Sequence, residues 1–367
     1  MAEKYMKTIK FDEAGDTYHP LPIIEGGNGK VWTQSNTTSG NFSFAYSANG
    51  VWVAGSHLNK GLYYSTDGKS WIQSNIISGQ FNVVYNANGL WAAGDGTNKG
   101  LYYSTDGKTW TQSNITSAGF YSVYNVNGIW VAGSTSTGLY YSTDGKTWTQ
   151  SNITSGTFRA VYNANGIWVA CSCNINSQIG LYYSTDGKTW TQSNITSGAF
   201  RAVYNANGIW VTSSGDSGLY YSIDGKSWTQ SNITSEYFNA VYNANGIWVA
   251  CGYGYNGLYY STDGKSWTQS NITSGSFNAV YNANGIWVAC SYSEEGLYYS
   301  TDGKTWTQSN ITSEHFYAVY NANGIWVACG YSNNGLFYSE VSEGKILQVV
   351  DGEWAAVSVK NAEEVAY

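Results

Sequence analysis

The chain has 367 residues and a net charge of −7, and it is rich in aromatic residues (17%) but poor in charged ones (11%). The acidic balance argues against a nucleic-acid or anionic-membrane surface, and no apolar stretch approaches the roughly 18 residues of a membrane span. Many aromatic residues together with 43 Gly and only 2 Pro predict an ordered all-β protein with tight turns.

Residues 1–28 match nothing else in the chain, and we interpret them as an arm or docking segment. They have no apolar run typical of a secretory signal peptide. Four of the five cysteines occupy one position of the repeat described below, which predicts small, buried, reduced thiols rather than disulfides or metal ligands. These cysteines are Cys171, Cys251, Cys290 and Cys329.

From residue 29 onward, one motif dominates the sequence: GLYYSTDGKTWTQSN, complete at residues 138–152. Its tryptophan recurs from Trp32 to Trp306 at intervals near 40 residues, which is the period of propellers and other repeat arrays. In the fourth unit, strands are predicted at 158–162, 167–170, 181–184 and 190–193, joined partly by Asn-Gly and Asp-Gly turns. Four antiparallel strands repeated radially are typical of a β-propeller.

Eight copies of the first three strands predict an eight-bladed propeller over residues 29–339. The chain starts the array with a fourth strand and ends it with a third, so we expect strand 31–36 to join the last blade and close the ring. Residues 345–350 align loosely with the same strand and offer an alternative closure. Residues 340–367 are interpreted as a C-terminal tail with an Asp-Gly hairpin near residues 349–354.

The copies differ from each other in two places: beside the phenylalanine that opens each first strand, and in the loop between the second and third strands. Alternating strand direction puts both places at one end of each blade, here called the variable rim. The repeated Asn-Gly and Asp-Gly turns lie at the other end, the uniform rim. Tyr, Asn and Arg are typical of recognition surfaces, although loops also tolerate sequence drift. The predicted ligand-binding residues are Arg159, Arg201, Tyr121, Tyr317, His315, Tyr237, Asn239, Asn278, Asn82, Tyr253, Tyr292 and Glu294.

Two periodic series of eight tryptophans each could be sugar-stacking platforms or core. Buried aromatic rings supply much of a small core's stabilisation, so we interpret the tryptophans as core. The repeated Asn-Ile-Thr matches a glycosylation sequon, but we interpret it as loop chemistry copied with the repeat.

The turn STDGKTW resembles the Asp-box (BNR) repeat of sialidase-type propellers, in a form one residue shorter between Asp and Trp. The resemblance implies a propeller in which the aspartate is structural, and such turns occur in enzymes, lectins and other binding proteins. Sialidases hold their substrate with three arginines, whereas this chain has two. Glu236 and Glu314 keep a glycoside hydrolase open as an alternative. The Asp-box aspartates are Asp67, Asp106, Asp144, Asp186, Asp224, Asp263 and Asp302.

The N-terminal arm and the tail GKILQVVDGEWAAVSV resemble terminal segments of tail-fibre and baseplate-associated proteins of tailed phages. This resemblance implies a virion component made in the bacterial cytoplasm, with both ends bound to other tail proteins. Our leading hypothesis is a non-enzymatic module that binds a glycan or host receptor through the variable rim. A hydrolase and a purely structural docking disc are the alternatives. Neither a cofactor nor a metal site is predicted.

Overall fold

The computed structural model describes residues 29–173, 179–254 and 256–340, and the backbone of two further strands at 344–350 and 353–359. The predicted arm at 1–28 lies outside the described residues. Eight four-stranded antiparallel sheets form a ring of blades, which confirms the predicted eight-bladed β-propeller. Blades are numbered 1 to 8 by the order of their first strands.

The strands occupy equivalent positions in every blade. First strands are Phe42–Ala48, Phe81–Ala87, Phe120–Val126, Phe158–Ala164, Phe200–Ala206, Phe238–Ala244, Phe277–Ala283 and Phe316–Ala322. Second strands are Val51–Ser56, Leu90–Asp95, Ile129–Ser134, Ile167–Ser172, Ile209–Ser214, Ile247–Gly252, Ile286–Ser291 and Ile325–Gly330. Third strands are Leu62–Ser65, Leu101–Ser104, Leu139–Ser142, Gly180–Ser184, Leu219–Ser222, Leu258–Ser261, Leu297–Ser300 and Leu336–Glu340. Fourth strands are Ile72–Gln73, Thr111–Gln112, Thr149–Gln150, Thr191–Gln192, Thr229–Gln230, Thr268–Gln269 and Thr307–Gln308, with Thr33–Gln34 completing blade 8.

The N-terminal strand closes the ring, as predicted. Thr33 pairs with Tyr338 and Gln34 with Phe337, so blade 8 combines the two ends of the array. The alternative strand instead belongs to a separate antiparallel pair, Gly344–Val350 with Glu353–Val359, and the predicted Asp-Gly turn between them lies outside the described residues. Closure leaves the third strand of blade 8 without an open edge.

The core lies between neighbouring blades and is largely aromatic. All sixteen periodic tryptophans are at most 4% exposed, so they are core residues and not sugar platforms. The four repeat-position cysteines are completely buried free thiols, and burial raises the pKa of Cys171 and Cys290 to about 12. These thiols are therefore packing residues, as the sequence predicted.

The fourth strand is shorter than predicted because the backbone of the tryptophan at its start forms hydrogen bonds with an asparagine side chain and not with a neighbouring strand. The Trp190 N–H donates to Asn152 Oδ1 (2.8 Å), and Asn152 Nδ2 donates to the Trp190 carbonyl (2.9 Å). Each such Asn clasps the tryptophan of the next blade, so the sequon asparagines are structural. The eight clasps are Asn36–Trp71, Asn75–Trp110, Asn114–Trp148, Asn152–Trp190, Asn194–Trp228, Asn232–Trp267, Asn271–Trp306 and Asn310–Trp32.

Candidate ligand-binding site

The residue after each opening phenylalanine lies in a β-bulge. In blade 4, Phe158 pairs with Ser172 and Ala160 with Cys171, which leaves Arg159 outside the ladder. A bulge redirects the side chain of its extra residue. The same shift occurs in all eight blades, and the first strands of neighbouring blades pack against each other around the ring. The bulges therefore direct one side chain per blade to the mouth of the central channel.

These eight side chains and His57 line one cavity of about 310 Å³, here called the cup. Seven of the predicted ligand-binding residues meet in it, whereas Ser43 and His57 were not among the candidates. Burial lowers the pKa of His57, which favours its neutral form. The eight side chains are Ser43, Asn82, Tyr121, Arg159, Arg201, Asn239, Asn278 and Tyr317.

Both arginines in the cup stack on tyrosines. The Arg159 guanidinium lies 4.9 Å from the ring centroid of Tyr121, and that of Arg201 lies 5.4 Å from Tyr253. Arg201 Nη1 also donates to Asn239 Oδ1. Among the described residues, neither guanidinium is within ion-pair distance of an acid. Burial and then the charge of Arg159 lower the pKa of Arg201, so the two positive charges repel each other inside the cup.

A closed belt of tyrosines lies deeper in the channel, three residues further along each first strand. Ring centroids of successive tyrosines are 4.9 to 5.7 Å apart around the whole circle. Burial and neighbouring hydroxyls raise the pKa of Tyr46 to about 12, so that phenol is uncharged at neutral pH. The belt was not among the predicted features, although all eight copies of the repeat have Tyr at this position. The belt comprises Tyr46, Tyr85, Tyr124, Tyr162, Tyr204, Tyr242, Tyr281 and Tyr320.

A second set of side chains stands around the cup, at the residue that follows each second strand. Each backbone N–H here donates to the carbonyl of the residue before the opening phenylalanine, as Tyr331 does to His315 (2.8 Å). In blades 2 to 5 these residues are Gly96, Thr135, Cys173 and Gly215. In blades 6, 7, 8 and 1 they are Tyr253, Tyr292, Tyr331 and His57, here called the aromatic arc.

The other predicted candidates lie beside the cup and do not line it. Tyr253 and Tyr292 belong to the aromatic arc. His315 Nδ1 contacts the Tyr292 carbonyl, and its Nε2 lies 3.6 Å from a carboxylate oxygen of Glu294. Tyr237, which is 47% exposed, precedes the opening phenylalanine of blade 6. These candidates therefore lie next to the cup on the variable rim.

The aspartates of the repeated Asp-Gly turns lie away from the cup and organise the turns of the uniform rim. Asp186 Oδ1 accepts hydrogen bonds from the backbone N–H groups of Lys188 and Thr189 and from the Ser184 hydroxyl, each at 2.8 Å. The other six Asp-Gly turns repeat this arrangement. Their geometry is that of a structural turn.

The carboxylates required by the hydrolase alternative are not brought into the cup. Neither Glu236 nor Glu314 is among its lining residues. Within the part of the chain that the structure describes, no three His, Cys, Asp or Glu side chains gather as a metal site would require. The described residues also include no helix long and apolar enough to span a membrane.

Comparisons with known proteins support the fold alone. No protein-family model matches the chain, and no curated protein matches it. A computationally designed protein, Ika8, is similar at TM-score 0.65 and 9% identity, covering 85% of this chain and 100% of that one. A structure of YCF48 bound to D1 peptide is similar at TM-score 0.52 and 16% identity, covering 85% and 95%. The extracellular domain of the one-component system BT4673 from B. thetaiotaomicron is similar at TM-score 0.54 and 14% identity, covering 87% and 41%.

Proposed function

We propose that this protein is a non-enzymatic recognition module that binds an acidic glycan in the cup. The observation that carries the proposal is the convergence of one variable side chain from every blade on a single cavity. Two of these side chains are arginines that form no salt bridge among the described residues, although Asp216 acts electrostatically on Arg201. Arg forms strong, charge-assisted hydrogen bonds with carboxylate, sulfate or phosphate groups. Asn and Tyr around them can bond to hydroxyl groups and pack against sugar rings.

The contrast between the two rims supports this location. The uniform rim repeats the same turn, whereas the cup presents Ser, Asn, Tyr and Arg at one repeat position. A protein with net charge −7 that places two adjacent positive charges in a cavity offers a local site for an anion. The expected context is the tail of a phage, where the cup would meet a host-cell glycan and the chain ends would bind other tail proteins.

A glycan array probed with the full chain and with the double variant Arg159→Ala/Arg201→Ala tests the proposal. Hydrogen bonds to charged groups contribute about 1.5–3 kcal/mol each, so the double variant should bind acidic glycans at least about 100-fold more weakly. Lys146→Ala/Lys188→Ala is the matched control, because it removes two positive charges from the uniform rim. The control should bind like the unmodified protein.

Two results would overturn the proposal. One is the absence of binding to any acidic glycan. The other is selective binding to acidic peptides presented on the same array, as the peptide complex of the structurally similar YCF48 makes worth including. Hydrolysis of a bound glycan that is lost in Glu236→Gln or Glu314→Gln would instead favour the glycosidase.

A further inference from the structure

The aromatic arc extends the cup on one side only. Blades 6, 7, 8 and 1 carry the arc, whereas blades 2 to 5 have small residues at the same position. In blades 2 and 5 this residue is glycine, and an added Cβ would lie 2.2 Å from Asn82 Nδ2 at Gly96 and 2.5 Å from Arg201 Nε at Gly215. The side chains that reach into the cup therefore occupy the space that the arc fills elsewhere. The residues that surround the cup are therefore aromatic in blades 6, 7, 8 and 1 and small in blades 2 to 5.

Three members of the arc form one contiguous surface: Tyr292, Tyr331 and His57. Ring centroids of Tyr292 and Tyr331 are 5.4 Å apart, and His57 lies 6.5 Å from Tyr331. Tyr317, which lines the cup, packs edge-on against Tyr331 at 4.7 Å and contacts His57 at 5.5 Å. Tyr317 thus connects the arc to the cup without a gap.

The charged part of the cup, Arg159 and Arg201, lies opposite the aromatic part formed by Tyr317 and His57, whereas Tyr253, at the other end of the aromatic arc, stacks on Arg201. Arg159 and Arg201 belong to blades 4 and 5, and Tyr317 and His57 to blades 8 and 1, which are four blades away in a ring of eight. Tyr317 and Arg159 interact electrostatically across the cup. A ligand that uses both parts has its acidic group at one end and apolar faces at the other.

The small volume of the cup means that a ligand that also reaches the aromatic arc must extend beyond the cup. A cavity of about 310 Å³ is at the lower end of ligand pockets, which are roughly 300–1,000 Å³. Tyr292 and Tyr331 lie outside it, and Tyr253 is 37% exposed. The C–H face of a pyranose ring is apolar and packs on a flat aromatic ring.

We propose that the aromatic arc is a second subsite that binds neutral sugar rings of an extended glycan whose acidic residue is held in the cup by Arg159 and Arg201. This inference rests on the proposed function of the cup. It adds that the ligand is an oligosaccharide, bound in one direction across the variable rim, and that a single acidic sugar occupies only part of the site.

Calorimetric titration of the full chain with a length series tests the proposal. The probes are glucuronic acid and oligosaccharides of two, four and six sugars that alternate uronic acid with N-acetylhexosamine. Affinity should rise at least about tenfold from two sugars to four or six. Tyr331→Ala should remove this gain and leave the affinity for two sugars unchanged. Tyr331→Phe keeps the ring and should keep the gain, which separates stacking from hydrogen bonding by the hydroxyl. Arg159→Ala/Arg201→Ala should weaken every length.

The outcomes separate the two proposals. Equal affinity for all lengths, or a Tyr331→Ala variant that retains the gain or weakens every length equally, overturns the second subsite and leaves the cup in place. Failure of all these probes to bind overturns the second subsite, and it overturns the cup as well if the glycan array also shows no binding to any acidic glycan. Near-ultraviolet circular dichroism of each variant, compared with the unmodified protein, checks that the packing of the remaining aromatic residues is kept.

Discussion

At the scale of single residues, the copies of the repeat differ in the sizes of two paired residues, one in the first strand and one in the second. The residue two after each opening phenylalanine pairs with the last core position of the second strand. Phe44 pairs with Gly55, whereas Ala160 pairs with Cys171. Val83 and Ser122 also pair with Gly, and the other blades combine Ala with Cys or Ser. In blades 1 and 2 the larger residue of the first strand thus faces glycine, whereas the alanines of blades 4 to 8 face Cys or Ser; Ser122 and Gly133 in blade 3 are small on both strands.

This pairing predicts that two unfavourable substitutions in blade 1 compensate each other. Gly55→Cys places a Cβ 2.2 Å from Phe44 Cε1, so it should destabilise the protein by about 1–3 kcal/mol through overpacking. Phe44→Ala leaves a void. The double variant recreates the Ala–Cys pair of blades 4, 6, 7 and 8, and it should be more stable than the sum of the single changes. Urea denaturation of all four proteins measures the coupling, and additive effects would contradict it.

At the scale of the element, each Asp-Gly turn of the uniform rim depends on one ionised side chain. Burial alone would raise the pKa of Asp186, but hydrogen bonds from the backbone of Thr189 and Lys188 and from the Ser184 hydroxyl outweigh it and lower the pKa. The folded state therefore favours the carboxylate more than the unfolded state does. The resulting stabilisation is present above the unfolded pKa, near 3.9, and is lost as the pH falls through the lower folded value.

Substitution of Asp186 should therefore have a pH-dependent cost. Asp186→Ala leaves two backbone N–H groups without their acceptor and should lower the free energy of unfolding by about 1–2 kcal/mol at pH 7. Asp186→Asn keeps an acceptor oxygen and should cost less. The advantage of Asp over Asn should shrink as the pH falls below about 4, because protonation makes the two side chains alike. Thermal unfolding of the three proteins between pH 3 and 7 checks this, and a constant difference would argue against a carboxylate role.

At the scale of the whole molecule, sequence reasoning was strongest where one pattern recurs eight times. The strand order, the closure by strand 31–36 and the buried tryptophans follow from repeated turns and strands. The cup was only partly predictable: the variable positions were visible, but their convergence depends on a bulge beside Phe158 and its equivalents. His57 was not predicted as a site residue because a single histidine carries little signal by itself. Its repeat position, which holds Tyr253, Tyr292 and Tyr331 in other blades, is the feature that marks it as part of the variable rim.

The closure of the ring makes one blade depend on the N-terminal strand, and a pair of equivalent substitutions can measure this. Trp32 and Trp190 occupy the same position and are both 3% exposed. Replacing either by Ala should cost about 3–5 kcal/mol, as is usual for a buried aromatic residue.

The strand after Trp190 is continuous with blade 4 through the adjacent turn, whereas Thr33–Gln34 joins blade 8 only by packing and pairing. Trp32→Ala should therefore also release that strand and uncover the edge Leu336–Glu340, where other chains can pair. We expect a lower midpoint of thermal unfolding for Trp32→Ala than for Trp190→Ala, and concentration-dependent association in light scattering for Trp32→Ala alone. Equal midpoints without association would mean that blade 8, closed by Thr33–Gln34, is as stable as the blades whose strands are continuous.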